Sequence, residues 1–452
     1  MSFLATLTIL GLGQLAWILI STIWVWKRHD EVPLLVSVLL FYVFTFRFWA
    51  ILQGWAAPAN LTNFGFEPIG GADCLAVLGL GLLGETAWLT VYMLVQRRRV
   101  DLPSAVASPL LLDWLRTRVL LLAAGCIPLA LFARELVRQQ AMEGKSLGFE
   151  VSSYLGLFPL SLVGVAILLA ALWKAGGLPT GGHRFLVLFL FALIGYLTFQ
   201  PSLRFQFLGW FLAAVIIFSS GYSFARRGML VTSGLICAVA LFALAGALRH
   251  SDDPEADLQQ TVWERFAFAH DANMLDGFAL LRQVYPDRLN YSFGGEHLEI
   301  FQRPIPRTWW PGKPVGGYMN KLGIITADTG FTLGISPSLF GSFYQEGGVY
   351  GVIILSALYG FGFARLVRYS VGLQPLSGLL IRGVACAGIV PLLRGGDLPG
   401  IYAWFGMSFW PILLVFLLKR REFFSKVPVV PANALQPPPH SYHLPRSSSS
   451  PT

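Results

Sequence analysis

Four cations stand out by type and place. Arg307 and Lys313 flank a tryptophan pair in the run Ile305-Pro306-Arg307-Thr308-Trp309-Trp310-Pro311-Gly312-Lys313-Pro314. Arg204 ends the short polar break Gln200-Pro201-Ser202-Leu203-Arg204, and Arg394 begins the break Arg394-Gly395-Gly396-Asp397-Leu398-Pro399-Gly400. A guanidinium is a planar fork that meets phosphate oxygens two at a time. Several converging cations would hold a polyanion and stabilise a departing pyrophosphate electrostatically. Such a transfer also needs a group to deprotonate the accepting hydroxyl. Asp397, Glu346, Asp328 and His297 have the right chemistry, and Asp397 is as well placed to pair with Arg394. Trp309, Trp310, Tyr318 and Tyr344 could line a sugar path, though anchoring at the membrane–water interface explains the tryptophans about as well. Arg47, in the outer half of an apolar segment, is a weaker addition to the set, and Glu85 is similar. His297 stands beside Glu296 and Glu299, but there is no DxD, no HExxH and no dense carboxylate cluster, so neither a metal nor a cofactor is expected.

The elements that must position these residues are transmembrane. Of 452 residues, 55% are hydrophobic and only 13% charged, against about 25% charged in soluble domains. That excludes a soluble globular enzyme and a disordered chain. Eleven apolar segments read as spans, at about 3–25, 33–54, 74–95, 118–136, 154–173, 185–200, 205–222, 228–247, 347–366, 377–393 and 401–418. The fold class is therefore an all-α polytopic integral membrane protein with about eleven helices. The net charge of +9 is a matter of topology and does not point to nucleic acid. Lys27-Arg28, Arg97-Arg98-Arg99, Arg116, Arg118, Lys174, Arg184, Arg226-Arg227, Arg365, Arg368, Arg382 and Lys419-Arg420-Arg421 fall on alternate loops. Positive loops stay in the cytoplasm, which puts the N-terminus outside and the C-terminus inside.

Four regions follow: helices 1–8 over residues 1–248, one large external loop over 249–346, helices 9–11 over 347–420, and a Pro/Ser-rich, disordered cytoplasmic tail over 421–452. Within the loop, 261–285 has helical periodicity. Cys74, Cys126, Cys237 and Cys386 make no metal or disulfide spacing and are read as small buried apolar residues.

The run from Ile305 to Pro314 resembles the "IPR-x-x-WP-x-KP" signature of Wzy-type oligosaccharide repeat-unit polymerases, which include the O-antigen and enterobacterial common antigen polymerases. Ile335-Ser336-Pro337-Ser338-Leu339-Phe340-Gly341 followed by Gly347-Gly348 is similar to that family's second landmark. Arg204 resembles its "G-x-R" position, although Pro-Ser-Leu replaces the glycine-rich lead-in. Arg394 with Asp397 resembles its arginine near the last helix. The similarity covers roughly 200–400. It implies a GT-C-like, metal-independent, inverting glycosyltransferase of the bacterial inner membrane, acting at the periplasmic face. The donor and acceptor would be undecaprenyl-pyrophosphate-linked glycans in the lipid bilayer; whether a chain-length regulator is a further partner is left open. The resemblance assigns catalysis to Arg204, Arg307, Arg394 and Asp397. Taken with the reading of the residues themselves, the expected substrate contacts are Lys313, Arg47, Trp309, Trp310, Tyr318, Ser336, Ser338, Tyr344, Glu346 and His297.

Two rival classes remain. An O-antigen ligase has similar architecture and relies on a loop histidine, a role open to His297 or His270. A lipid-linked glycan transporter would place its charges at mid-membrane, whereas the marked charges here cluster at one face.

Overall fold

The computed structural model describes residues 3–100, 107–143, 156–198, 204–247, 273–302, 305, 309–310, 312–313, 317–324, 335–395 and 398–425. Arg307, Asp397, Asp328 and His270 lie outside them, as do the tail from 426 and the first part of the 261–285 periodicity. Every regular element among the described residues is helical. In chain order they are α1 (Phe3–Arg28), α2 (Val32–Leu52), α3 (Gly71–Val95), α4 (Pro109–Glu143), α5 (Ser161–Lys174), α6 (Gly181–Thr198), α7 (Arg204–Ser219) and α8 (Phe224–Ala247). Further along the chain come α9 (Met274–Arg282), α10 (Gly295–Gln302), α11 (Tyr318–Lys321), α12 (Ser338–Ser370), α13 (Pro375–Arg394), α14 (Leu398–Leu418) and α15 (Arg420–Phe423).

Eight of these helices, α1–α4, α6 and α12–α14, are long and apolar enough to cross a membrane. The expected fifth and seventh spans are shorter apolar helices, Phe158–Lys174 and Phe207–Ser219. The expected eighth is α8, which is helical but not among the eight. The loop boundary expected at 346/347 also shifts. The helix starts at Ser338, and the expected boundary falls on a break inside it, where Gly347 and Gly348 leave helical geometry. Gly348 has φ +62° and ψ −142°, a conformation essentially confined to glycine.

Helices pack through small residues, as expected where lipid removes the usual hydrophobic drive for association. Gly360 of α12 lies against the Trp88 backbone of α3, Gly209 of α7 against Ala387 of α13, and Gly164 of α5 against Ser408 of α14; a methyl at any of these would collide with backbone. Cys74, Cys126 and Cys386 are buried as expected, but Cys237 on α8 is exposed.

Contacts between loops mark two ends of the helical bundle. At one end, here the basic end, the Val100 N–H donates to Arg28 O at 2.8 Å, Arg368 to Val95 O at 3.3 Å, Arg116 to Gly177 O at 3.4 Å and Ser377 to Phe423 O at 2.6 Å. At the other, the loop end, the Glu67 N–H donates to Gln283 Oε1 at 2.9 Å, Arg288 donates to Gly65 O, and the Ser292 N–H donates to Gln345 O at 3.1 Å. Phe3 packs edge-on to Phe48 at the loop end, so the first and last described residues lie at opposite ends.

Candidate active site

The loop end gathers most of the described site residues. Ser336-Pro337-Ser338 leads into α12 and seats on the end of α13. The Ser336 hydroxyl donates to Arg394 O at 2.6 Å. Gly395 (φ +73°) lies so close that a Cβ would collide with the Ser338 backbone. Two segments almost sixty residues apart thus meet because a glycine sits between them.

Arg394 heads an apolar cavity of about 330 Å³. Its walls come from α2, α7, α8 and α13, including Val38, Phe46, Leu208, Leu212 and Val390, and Arg394 is its one charged lining residue among those described. Arg204 begins α7, one helical turn before Leu208. The α2 wall includes the π-helical turn Phe41–Phe46, a kind of irregularity often found beside functional sites.

His297, on α10, is the best-organised acid–base group at this end. Its Nδ1 lies 2.8 Å from Glu346 Oε1 and its Nε2 3.1 Å from the Tyr359 hydroxyl, which in turn lies 2.7 Å from Tyr402 Oη. Glu346 also accepts from Ser292 Oγ at 2.9 Å, from the His297 N–H at 3.2 Å and from the Gly294 N–H. Phe293 (φ +44°) and Gly294 (φ +96°) form the left-handed turn that aims those N–H groups at it. A carboxylate with this many donors is held as an acceptor, so Nδ1 carries the proton and Nε2 is left with the basic lone pair. Glu346 thus holds the imidazole ring, whose Nε2 faces the Tyr359 hydroxyl. Choosing between them from sequence was impossible, because the turn and the α12 break that bring them together are tertiary features.

Arg47 is buried in an ion pair with Asp276 of α9 at 2.8 Å. The Ala59 N–H donates to the same carboxylate oxygen at 3.0 Å, and Arg47 donates to Ala57 O at 3.0 Å. It therefore fastens α9 to α2. Asp276 had only its place in a helical periodicity to signal it, and Tyr359 and Tyr402 had none beyond a hydroxyl in an apolar run. Lys313 donates to Ile305 O at 2.7 Å and so braces the loop signature. Beside it Trp309 is 81% exposed and Trp310 37%, leaving both rings open to a sugar or to the interface.

Tyr318 is buried, its hydroxyl 3.5 Å from Gly277 O. Tyr344 packs edge-on to Phe278 and Tyr291. Tyr318 therefore presents no ring to a sugar, and Tyr344 is half-buried. Lys321 pairs with Glu296 and, at 3.1 Å, with Glu299, so the thin triplet around His297 is used as an ion-pair cluster. Burial pushes the Glu296 carboxyl up despite Lys321. Burial also opposes the Lys321 charge, but the two carboxylates outweigh it and hold the ammonium above its ordinary value. No group of metal-ligating side chains occurs among the described residues. Glu85 is fully buried in α3.

The chain matches no protein-family model, no curated protein and no solved structure.

Proposed function

We propose that the protein is a membrane glycosyltransferase that polymerises lipid-linked oligosaccharide repeat units at the loop end. The observation that carries this reading is the apolar cavity headed by Arg394. An isoprenoid pyrophosphate is a long apolar chain ending in a polyanion; the apolar walls suit the chain, and in this reading the Arg394 side chain turns at the cavity's end to meet the pyrophosphate. Arg204 begins one wall of that groove, and Lys313 of the loop signature is braced on Ile305.

In this mechanism Arg394, with Arg204 and Arg307, holds the donor pyrophosphate and stabilises the charge that develops as it leaves. His297 Nε2 takes the proton of the acceptor hydroxyl once that hydroxyl replaces Tyr359 as its partner. Glu346 keeps the ring in the required tautomer and stabilises the imidazolium that forms. The sugar bond to pyrophosphate breaks as the bond to the acceptor oxygen forms, and the growing glycan passes to the second lipid-linked unit. The face is periplasmic if the basic end is cytoplasmic, as the charge distribution favours.

The loop histidine favours one second reading, a ligase-like transferase in which the acceptor is not another lipid-linked repeat unit. Purified protein incubated with undecaprenyl-pyrophosphate oligosaccharide and no nucleotide sugar tests both. A ladder of products that is lost with Arg307→Ala supports polymerisation. Transfer only to a lipid A core acceptor gives the ligase reading, and no transfer to either sinks the enzyme assignment.

A further inference from the structure

The basic end holds a second cavity, of about 730 Å³, which shares no lining residue with the groove headed by Arg394. Its lining includes Lys27, His29, Arg99, Arg227 and Arg382, with no acidic residue among the described lining residues. Two of these cations are built into the protein. Arg227 and Arg382 are 3% and 5% exposed and share one carboxylate: Arg227 pairs with Glu31 Oε1 and Arg382 with Glu31 Oε2 at 2.8 Å. Both also donate to His29 O, at 2.9 and 3.4 Å.

Glu31 is shared by both guanidiniums and the buried Asp30 lies near them, so the positive character of the cavity wall comes from Lys27 and Arg99 around the same space. Arg227 Nε is buried and has no hydrogen-bond partner among the described residues, a donor of the kind that a ligand oxygen satisfies. The turn Gly221-Tyr222-Ser223 also lines the cavity and leads into the N-terminus of α8, whose free N–H groups and dipole favour an anion.

The rim indicates how the anion arrives. Trp26, Tyr222 and Phe224 line the opening and are each more than 40% exposed. Trp26 and Phe224 pack with ring centroids 6.0 Å apart. Such rings sit at headgroup level in a bilayer. We infer that this cavity binds the phosphate-bearing headgroup of a membrane lipid, held by Arg227 and Arg382 at its floor and by Lys27 and Arg99 at its mouth. The inference rests on none of the residues that the transferase assignment uses.

The test uses full-length protein in nanodiscs. One set contains phosphatidylcholine alone, and a second adds phosphatidic acid as the probe. Lipid retained after extraction into detergent is read by native mass spectrometry, and the difference in intrinsic fluorescence between the native protein and Trp26→Phe reports occupancy. Phosphatidic acid should be retained selectively, and Lys27→Gln with Arg99→Gln should weaken it about tenfold or more, the effect of losing one charge-assisted hydrogen bond. This pair leaves the Glu31 clamp untouched, so the variant keeps its fold; Arg382→Lys, which keeps charge but not the fork, should weaken retention less than Arg382→Gln. Equal retention of phosphatidylcholine, or no loss in the double variant, overturns the proposal. Inorganic pyrophosphate competing as well as the lipid would overturn the lipid source.

Discussion

His297 Nδ1 lies 2.8 Å from Glu346 Oε1, and the two residues reach one another only because α12 breaks directly after Glu346. The carboxylate closes the N-terminus of α10 and sets the imidazole tautomer in one contact. An acid–base residue and the cap that orders its helix are therefore the same piece of structure.

Removing the base should expose this. His297→Ala is expected to slow transfer by roughly 10²–10⁴, the usual worth of a positioned general base. Glu346→Gln should slow it less and broaden the pH profile, because Nδ1 loses its charged acceptor. Product ladders across a pH series check both; unchanged rates in His297→Ala would remove the histidine from the mechanism.

The buried Arg47–Asp276 pair should behave as a fastener. Asp276→Ala leaves a buried guanidinium uncompensated and should cost about 3–5 kcal/mol. The double change Arg47→Leu with Asp276→Leu should recover much of that loss. Thermal unfolding of detergent-solubilised protein reads the difference. A double variant as unstable as the single one would assign Arg47 a role beyond the pair.

Gly395 and Gly347 make a matched test of backbone fit. At Gly395, φ is +73° and a methyl would strike the Ser338 backbone, whereas at Gly347 nothing lies within 4 Å and φ is −170°. Gly395→Ala should disorder the Ser336–Arg394 contact and abolish transfer. Gly347→Ala should be tolerated to within about 1 kcal/mol, and ladder assays with expression controls distinguish them.

Filling the apolar groove should discriminate donors by chain length. Leu208→Trp narrows the cavity headed by Arg394 and should raise KM about tenfold for a long isoprenoid donor, roughly the burial of two methylenes. A short-chain donor should be affected less. Equal effects on both would argue that the groove does not carry the chain.

The Lys321 cluster sets an alkaline limit on loop order. Glu296 and Glu299 hold the Lys321 ammonium above its ordinary 10.5, so its contribution is complete below that value and is lost as pH rises through the raised one. Hydrogen exchange at Met319 and Leu322 should accelerate above about pH 10.5 in the native protein, and Lys321→Met should remove that step. Glu296, pushed up by burial, works against stability at neutral pH, so Glu296→Gln alone should cost less than Lys321→Met.

Hydropathy was enough to read the membrane class and the helical content. Those properties are local or additive: an apolar run must leave water. The Arg394 break and the Ser336-Pro337-Ser338 lead-in were also visible, because proline and glycine mark positions where helix cannot continue. What the chain listing could not convey was partnership. Arg47 and Arg394 look alike as arginines at the ends of apolar segments, yet one is paired with an aspartate 229 positions away and the other heads an apolar groove. His297 and Glu346 were two of four equivalent candidates until the α12 break and the left-handed turn at Gly294 brought them together. Cation count alone likewise gave no cavity at the basic end. That required Glu31 to draw Arg227 and Arg382 from separate helices to one point. Charge and burial are written along the chain; pairing depends on which helices pack, and side-chain contacts across the bundle decide it.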